Sequence, residues 1–135
     1  LGISYSPSAG HSASETIPGY GSLSAAVEAP PDKLEALFAA AGRIAADLRA
    51  HPVSADELER ARRPTIETIR RERSGNAYWL IRLADAQTRP EIVEQVAHTV
   101  PDYEAVTPAD LLAAARLYLV DSKAWRLEIV PEAKP

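Results

Sequence analysis

The sequence predicts an α+β fold in which a small antiparallel sheet carries several helices packed on one of its faces. The first thirty residues are rich in serine, glycine and tyrosine, and short stretches of them alternate apolar with polar residues. The rest of the chain is rich in alanine, leucine, arginine and glutamate, with apolar residues at helical spacing. Period two indicates half-buried strands, whereas a period near 3.6 indicates amphipathic helices. Strands that are segregated from a run of helices favour the α+β class.

Three strands are predicted, at residues 2–6, 20–29 and 125–129, because apolar and polar residues alternate in each of them. The polar link at residues 7–18 is predicted to be a long loop, so no turn rule fixes the register of this hairpin. The alternating apolar residues are Ile3 and Tyr5 in the first strand, Leu23, Ala25 and Val27 in the second, and Trp125, Leu127 and Ile129 in the third.

Five helices are predicted between the second and third strands. Their starts are marked by side chains that cap free N–H groups, such as Asn76 and Thr107, or by proline in the first turn, where its missing N–H costs nothing. The predicted helices cover residues 31–50, 55–73 and 77–86, then a stretch from Pro90 to about Thr99, and a last one that starts at Pro108 and carries apolar residues as far as Leu119.

The second predicted helix has the most specific signals. Ser54 and Glu57 form a capping box, in which each side chain satisfies a backbone N–H of the other residue. Pro64 lies inside this helix and is predicted to bend it, because the proline ring clashes with the carbonyl of Arg60.

Length and composition indicate one globular domain covering residues 1–135, with 46% hydrophobic residues and a net charge of only −4, which excludes disorder as the main state. No run of residues is long and apolar enough for a membrane helix. Cysteine is absent, which removes disulfides and thiolate metal sites. The acidic balance argues against a nucleic-acid partner. Because residue 1 is leucine, we expect the chain to be a piece of a longer protein.

The residues by themselves predict no catalytic group and no metal ligand. His11, His51 and His98 are placed in a loop, at a helix end and on a helix, and no two histidines have the i, i+4 spacing that would chelate zinc. No serine lies in a nucleophile-elbow motif. We therefore expect each histidine to be solvated or to cap a helix.

Two further clusters allow a binding interpretation beside a structural one. Arginines recur along residues 60–73 and would hold an anion or a peptide carboxylate, but the interleaved glutamates favour a solvated, charged helix face. Tyr78, Trp79 and Leu80 would form a binding platform, but large aromatic residues more often belong to the core. The arginines are Arg60, Arg62, Arg63, Arg70, Arg71 and Arg73, and the glutamates are Glu59, Glu67 and Glu72.

Several motifs, taken in order, resemble the C-terminal region of the pitrilysin/insulinase family of zinc metallopeptidases, especially large bacterial members, some of them periplasmic. The resemblance covers nearly the whole chain, and the order and spacing of the motifs make it more specific than any one of them. The motifs are LGISYS from Leu1, YGSLSA from Tyr20, SADELERARRP from Ser54, NAYWL from Asn76, DY at Asp102, VTPADL from Val106 and RLEIVP from Arg126.

The resemblance implies a role in holding a peptide substrate. The family carries its zinc in an N-terminal domain, on an inverted H-x-x-E-H helix that this chain lacks. Its C-terminal half contributes an arginine and a tyrosine, spaced R-x6-Y, that hold the peptide. Only the tyrosine can be carried over, to Tyr5, because the arginine would precede Leu1. In the family, an exposed strand edge also pairs with the extended substrate.

Two functions are therefore expected from the sequence. In the first, the chain is a non-catalytic, substrate-enclosing part of a zinc metalloendopeptidase, inactive alone, with a peptide substrate and the N-terminal catalytic half as partners and zinc only in that upstream half. In the second, it is a non-catalytic interaction or assembly domain on the same scaffold. In either case the open edges of a three-stranded sheet would favour self-association. The resemblance points to the bacterial periplasm.

Overall fold

The computed structural model describes residues 5–14 and 16–131, and it confirms the α+β class. The side chains of Tyr5 and Ser6 are outside the described part. The elements are β1 (Tyr5–Ala13), β2 (Gly21–Glu28), α1 (Leu34–Ala50), α2 (Ala55–Glu72), α3 (Asn76–Leu83), α4 (Glu91–Ala105) and α5 (Pro108–Tyr118), with 3-10 turns at Pro31–Lys33 and Asp121–Lys123.

The described residues divide into two compact units. The hairpin unit comprises residues 5–14, 16–44 and 125–131, and the helical unit comprises residues 45–124. No helix in the described ranges is long and apolar enough to cross a membrane.

The hairpin is longer and its loop shorter than predicted. β1 and β2 pair antiparallel, with Ala13 opposite Gly21 and His11 opposite Leu23, and the register shifts between Tyr5 and Ser8. The predicted loop at residues 7–18 is wrong, because most of it belongs to β1 and only residues 14–20 connect the strands. β1 consists largely of small residues without apolar alternation, so only its pairing with β2 identifies it as a strand. In the connection, Gly19 adopts a positive φ of 74°.

The predicted third strand is also wrong. Residues 124–131 have no regular secondary structure, so the sheet of the described chain has two strands. The guanidinium of Arg126 lies over the ring of Phe38 at 5.0 Å, which places this stretch beside α1. The alternation of Trp125, Leu127 and Ile129 predicted the wrong element because a strand also needs a partner edge, which periodicity does not report.

The helix starts at α2 and α5 are confirmed in detail. The Ser54 hydroxyl accepts from the Glu57 N–H at 3.2 Å, and the Ser54 N–H donates to the Glu57 carboxylate at 2.8 Å. Thr107 caps α5: its hydroxyl accepts from the Asp110 N–H, and the Thr107 N–H donates to the Asp110 carboxylate at 2.9 Å. Pro64 lies inside α2, as predicted. The bend at Pro64 stays a prediction.

The bounds of α3 and α4 differ from the prediction. α4 continues through Pro101 to Ala105, six residues beyond the predicted end at Thr99. A proline inside a helix removes one backbone hydrogen bond, and the packing of α4 against α2 and α3 outweighs that loss. α3 begins at Asn76 itself, with Gly75 at the N-cap, and ends at Leu83, so Asn76 is not the cap.

The buried residues of the described chain all lie in the helical unit, on α2, α3, α4 and α5. They are Leu58, Ile66, Tyr78, Val96 and Ala115. Tyr78 is therefore a core residue, as predicted, but its neighbours Trp79 and Leu80 are exposed. The indole N–H of Trp79 donates to the carbonyl of Arg73 at 2.8 Å, and the Arg73 guanidinium lies over the indole ring. Trp79 thus links the end of α2 to α3 from the surface.

Candidate functional site

Tyr5, the one residue predicted to bind substrate, is the first residue of β1. Its backbone lies opposite Glu28 at the end of β2, next to the register shift. Its side chain lies outside the described residues, and so does Ile3, which was predicted to share its face. The binding role of Tyr5 therefore stays a prediction, and the structure places its backbone at the open end of the hairpin.

Among the residues that the structure describes, each strand of the hairpin has an outer edge with no partner strand. The Ser14 N–H donates to the Tyr20 carbonyl at 2.9 Å, and hydrogen-bonded pairs alternate along an antiparallel ladder. The pairs next in this alternation are Ser12 with Ser22 and Gly10 with Ser24. The N–H and C=O groups of the residues between them point away from the partner strand. These residues are Ala9, His11 and Ala13 on β1, and Gly21, Leu23 and Ala25 on β2.

The two outer edges differ in how well they are protected. β1 contains Pro7, which has no N–H, and its ladder is interrupted between Tyr5 and Ser8. β2 has no proline, no lysine and no arginine over its eight residues, and its one charge is Glu28 at the end. Because charges, prolines and bulges normally block edge pairing, β2 offers the more receptive edge.

The arginine-rich face of α2 is largely paired with carboxylates. Arg60 pairs with Asp56 at 2.9 Å, and Arg63 pairs with Glu67 at 3.0 Å, both one turn apart. Arg70 pairs across to Glu104 on α4 at 2.8 Å. These contacts support the interpretation as a charged helix face rather than as an anion site.

Arg62 connects α2 to the end of α4. Its side chain is only 22% exposed and pairs with Glu59 at 2.7 Å. The same guanidinium donates to the carbonyls of Glu104 at 2.8 Å and Val106 at 3.2 Å. It therefore satisfies carbonyls that the C-terminal end of a helix leaves without an intrahelical partner. Sequence reasoning missed this contact because it ended α4 at Thr99.

A surface groove of about 440 Å³ lies between α2 and α4, over Ile66. Three arginines and three glutamates line it, so their formal charges cancel. They are Arg62, Arg63, Arg70, Glu59, Glu67 and Glu104. A ligand anion would have to break existing ion pairs to bind there, which makes the groove a poor anion site.

The three histidines lie on or beside three different elements of the described chain. His11 is on β1 opposite Leu23 rather than in the predicted loop, which corrects that assignment. His51 contacts the carboxylate of Asp47 at 3.1 Å, and His98 contacts the Glu94 carbonyl at 3.0 Å. Within the ranges that the structure describes, no group of three or more His, Cys, Asp or Glu side chains is placed to hold a metal ion.

A comparison with known protein families, with curated proteins and with solved structures finds no match to the chain.

Proposed function

We propose that the chain is the non-catalytic, substrate-enclosing part of a zinc metalloendopeptidase and is inactive by itself. The observation that carries this proposal is the ordered set of motifs, from Leu1 to Pro131, that resembles the C-terminal region of the pitrilysin/insulinase family. In this proposal the zinc belongs to an N-terminal catalytic half, as the resemblance implies.

The proposed role of the hairpin is to hold an extended peptide. The outer edge of β1 offers the backbone groups of Ala9, His11 and Ala13 to such a peptide, in the manner of β-strand addition. Tyr5 starts the same strand. A phenol hydroxyl near the scissile bond would donate a hydrogen bond to the oxyanion that develops during peptide cleavage.

A second candidate is a non-catalytic interaction or assembly domain on the same scaffold. Exposed apolar residues in the hairpin unit favour it, among them Leu23 at 59% and Trp125 at 78% exposure. The reading frame upstream of Leu1 separates the two candidates. An H-x-x-E-H motif there supports the peptidase, and a frame without it supports the interaction domain.

The decisive experiment uses the full-length protein and compares Tyr5→Phe with Tyr20→Phe. Tyr20 lies at the other end of the hairpin, is exposed, and serves as the matched control. We expect Tyr5→Phe to lower peptide turnover about 10²–10³-fold if its hydroxyl stabilises the oxyanion, and less if it only positions the substrate. Tyr20→Phe should leave turnover unchanged. Wild-type turnover in Tyr5→Phe would contradict the assignment of Tyr5.

For the chain by itself, we expect neither tight zinc binding nor cleavage of a peptide. Stoichiometric zinc in the purified chain, together with peptidase activity that a chelator abolishes, would contradict the proposed division between a catalytic half and this one.

A further inference from the structure

Residues 125–130, called the terminal segment, have the composition of a strand but pair with no strand among the described residues. Trp125, Leu127 and Ile129 alternate with Arg126 and Glu128. No backbone hydrogen bond holds this segment within the part of the chain that the structure describes. Ile129 is 87% exposed.

The outer edge of β2 is the matching surface. It offers backbone groups at Gly21, Leu23 and Ala25 and lacks the prolines and basic residues that block edge pairing. Its apolar side chains Leu23 and Val27 are exposed. A two-stranded hairpin is marginally stable alone, so a third strand on this edge would stabilise it.

Charge and hydrophobicity together select one register. With the terminal segment antiparallel to β2 and Arg126 opposite Glu28, Leu127 lies opposite Val27 and Ile129 lies opposite Ala25. Residues directly opposite one another share a face, so the opposite charges meet on one face and the apolar pairs on the other. A parallel arrangement that starts from Arg126 and Glu28 would run into Pro30 and Pro31 within three residues.

The position of Arg126 indicates that the β2 edge is supplied by a second copy. Within the chain, Arg126 lies over Phe38, which keeps the terminal segment beside α1 with its backbone unpaired. A guanidinium stacks on an aromatic ring through its face and leaves its N–H edge free for a carboxylate. Glu28 has no ion pair among the described residues.

We propose that two copies of this chain associate by exchange: the terminal segment of each pairs antiparallel with the outer edge of β2 in the other, with Arg126 opposite Glu28. A two-fold axis makes both contacts at once, so the interface is closed, and the outer edge of β2 is covered from Ser24 to Glu28. This inference does not depend on the proposed function, which uses the outer edge of β1.

The test is a charge-reversal exchange, measured by sedimentation of the purified 135-residue chain over a range of concentrations at low salt. The wild type should form dimers. Arg126→Glu alone brings glutamates together at both contacts, and Glu28→Lys alone brings an arginine and a lysine together at both. Each variant alone should therefore dimerise at least about tenfold more weakly, because like charges directly opposite one another are destabilising.

Mixing the two variants should restore dimers, because each contact then joins opposite charges. A mixture that stays monomeric would overturn the proposal. That result is expected if the terminal segment pairs with the hairpin of its own chain, because mixing then restores no complementary charges. A wild type that is monomeric at every concentration would also overturn it, as would single variants that dimerise like the wild type. Circular dichroism checks that both variants keep their helices.

A second pair of variants tests the edge itself. Ala25→Lys places a charge opposite Ile129 of the other copy and should weaken dimers. Ala9 lies directly opposite Ala25 in the hairpin and on the same face, but it belongs to β1. Ala9→Lys should therefore not weaken dimers. Equal weakening by both variants would contradict the assignment of the interface to β2.

Discussion

The helical unit and the hairpin unit are held together by different interactions. In the helical unit, α2, α3, α4 and α5 each contribute at least one buried side chain, and cross-links at the surface tie their ends together. In the described part of the hairpin unit no side chain is buried. Its elements include one two-stranded ladder and the first part of α1, and Arg126 contacts Phe38 on that helix.

The cross-links of the helical unit are mainly hydrogen bonds to the carbonyl ends of helices. Arg62 binds carbonyls at the end of α4, Arg49 donates to the carbonyl of Leu119 after α5, and Arg116 donates to the carbonyl of Arg49 at 3.0 Å. The comparison indicates that the helical unit accounts for most of the stability of the chain. The hairpin unit is left as an exposed surface that is available for pairing.

The largest expected effect tests where the core lies. Ile66→Ala should lower the free energy of unfolding by about 2–4 kcal/mol, because it removes apolar contacts and leaves a cavity in the helical unit. Leu23→Ala, in the exposed face of β2, should cost well under about 1 kcal/mol. Urea denaturation of both variants measures the difference. Similar losses in the two variants would show that the hairpin is part of the same core.

The sequence predicted the bounds of the helices and strands only in part. The start of α2 was predictable because Ser54 and Glu57 act within one turn, and local signals decide such contacts. The length of α4 was not, since the carbonyls after Pro101 are satisfied by Arg62, more than forty residues away along the chain. The extent of β1 and the absence of a third strand likewise depend on long-range pairing.

Of the candidate site, the structure confirms only the prediction that Tyr5 lies in a strand of the hairpin. The sequence predicts a binding role for Tyr5, and the backbone of Tyr5 lies at the end of the hairpin, but the proposed role stays a prediction. The contrast between the edges of β1 and β2 became visible only with the register, because periodicity does not tell which N–H groups a partner strand occupies.

A smaller effect tests the link between α2 and α4. Arg62→Ala should cost about 1–2 kcal/mol, because it leaves carbonyls at the end of α4 without their charged donor. Arg60→Ala is the matched control. Arg60 is on the same helix and in an ion pair with Asp56, but it is 71% exposed, so its loss should be nearly neutral. Thermal denaturation compares them. Equal shifts in Tm would mean that Arg62 contributes no more than a surface ion pair.

The N-terminal cap of α2 should contribute less to the free energy of unfolding than Arg62 does. Ser54→Ala removes the acceptor for the Glu57 N–H and should lower the free energy of unfolding by about 1 kcal/mol. Ser22→Ala, at an exposed position of β2 where the hydroxyl caps no helix, is a control that should change stability less. If Ser54→Ala has no effect in chemical denaturation, water replaces the cap at no cost.

The same cap predicts how stability depends on pH. The backbone N–H and hydroxyl of Ser54 donate to Glu57 and hold the pKa of that carboxyl below its usual 4.5. Since the folded-state pKa is the lower one, this contribution is complete above pH 4.5 and is lost as the pH falls through the folded pKa. Glu57→Gln should therefore reduce the loss of stability on acidification, followed by urea denaturation between neutral and acidic pH. An unchanged pH profile would contradict this.

Native-state amide hydrogen exchange tests the central claim most directly, at a concentration where the chain is monomeric. The amides of Ile66 and Val96 should open only with global unfolding, whereas those of Ser22 and Ser24 in β2 should exchange through a local opening of much lower free energy. That result would place the stability of the chain in the helical unit. Equal protection of β2 and the buried helices would contradict it, because the hairpin would then unfold only with the core.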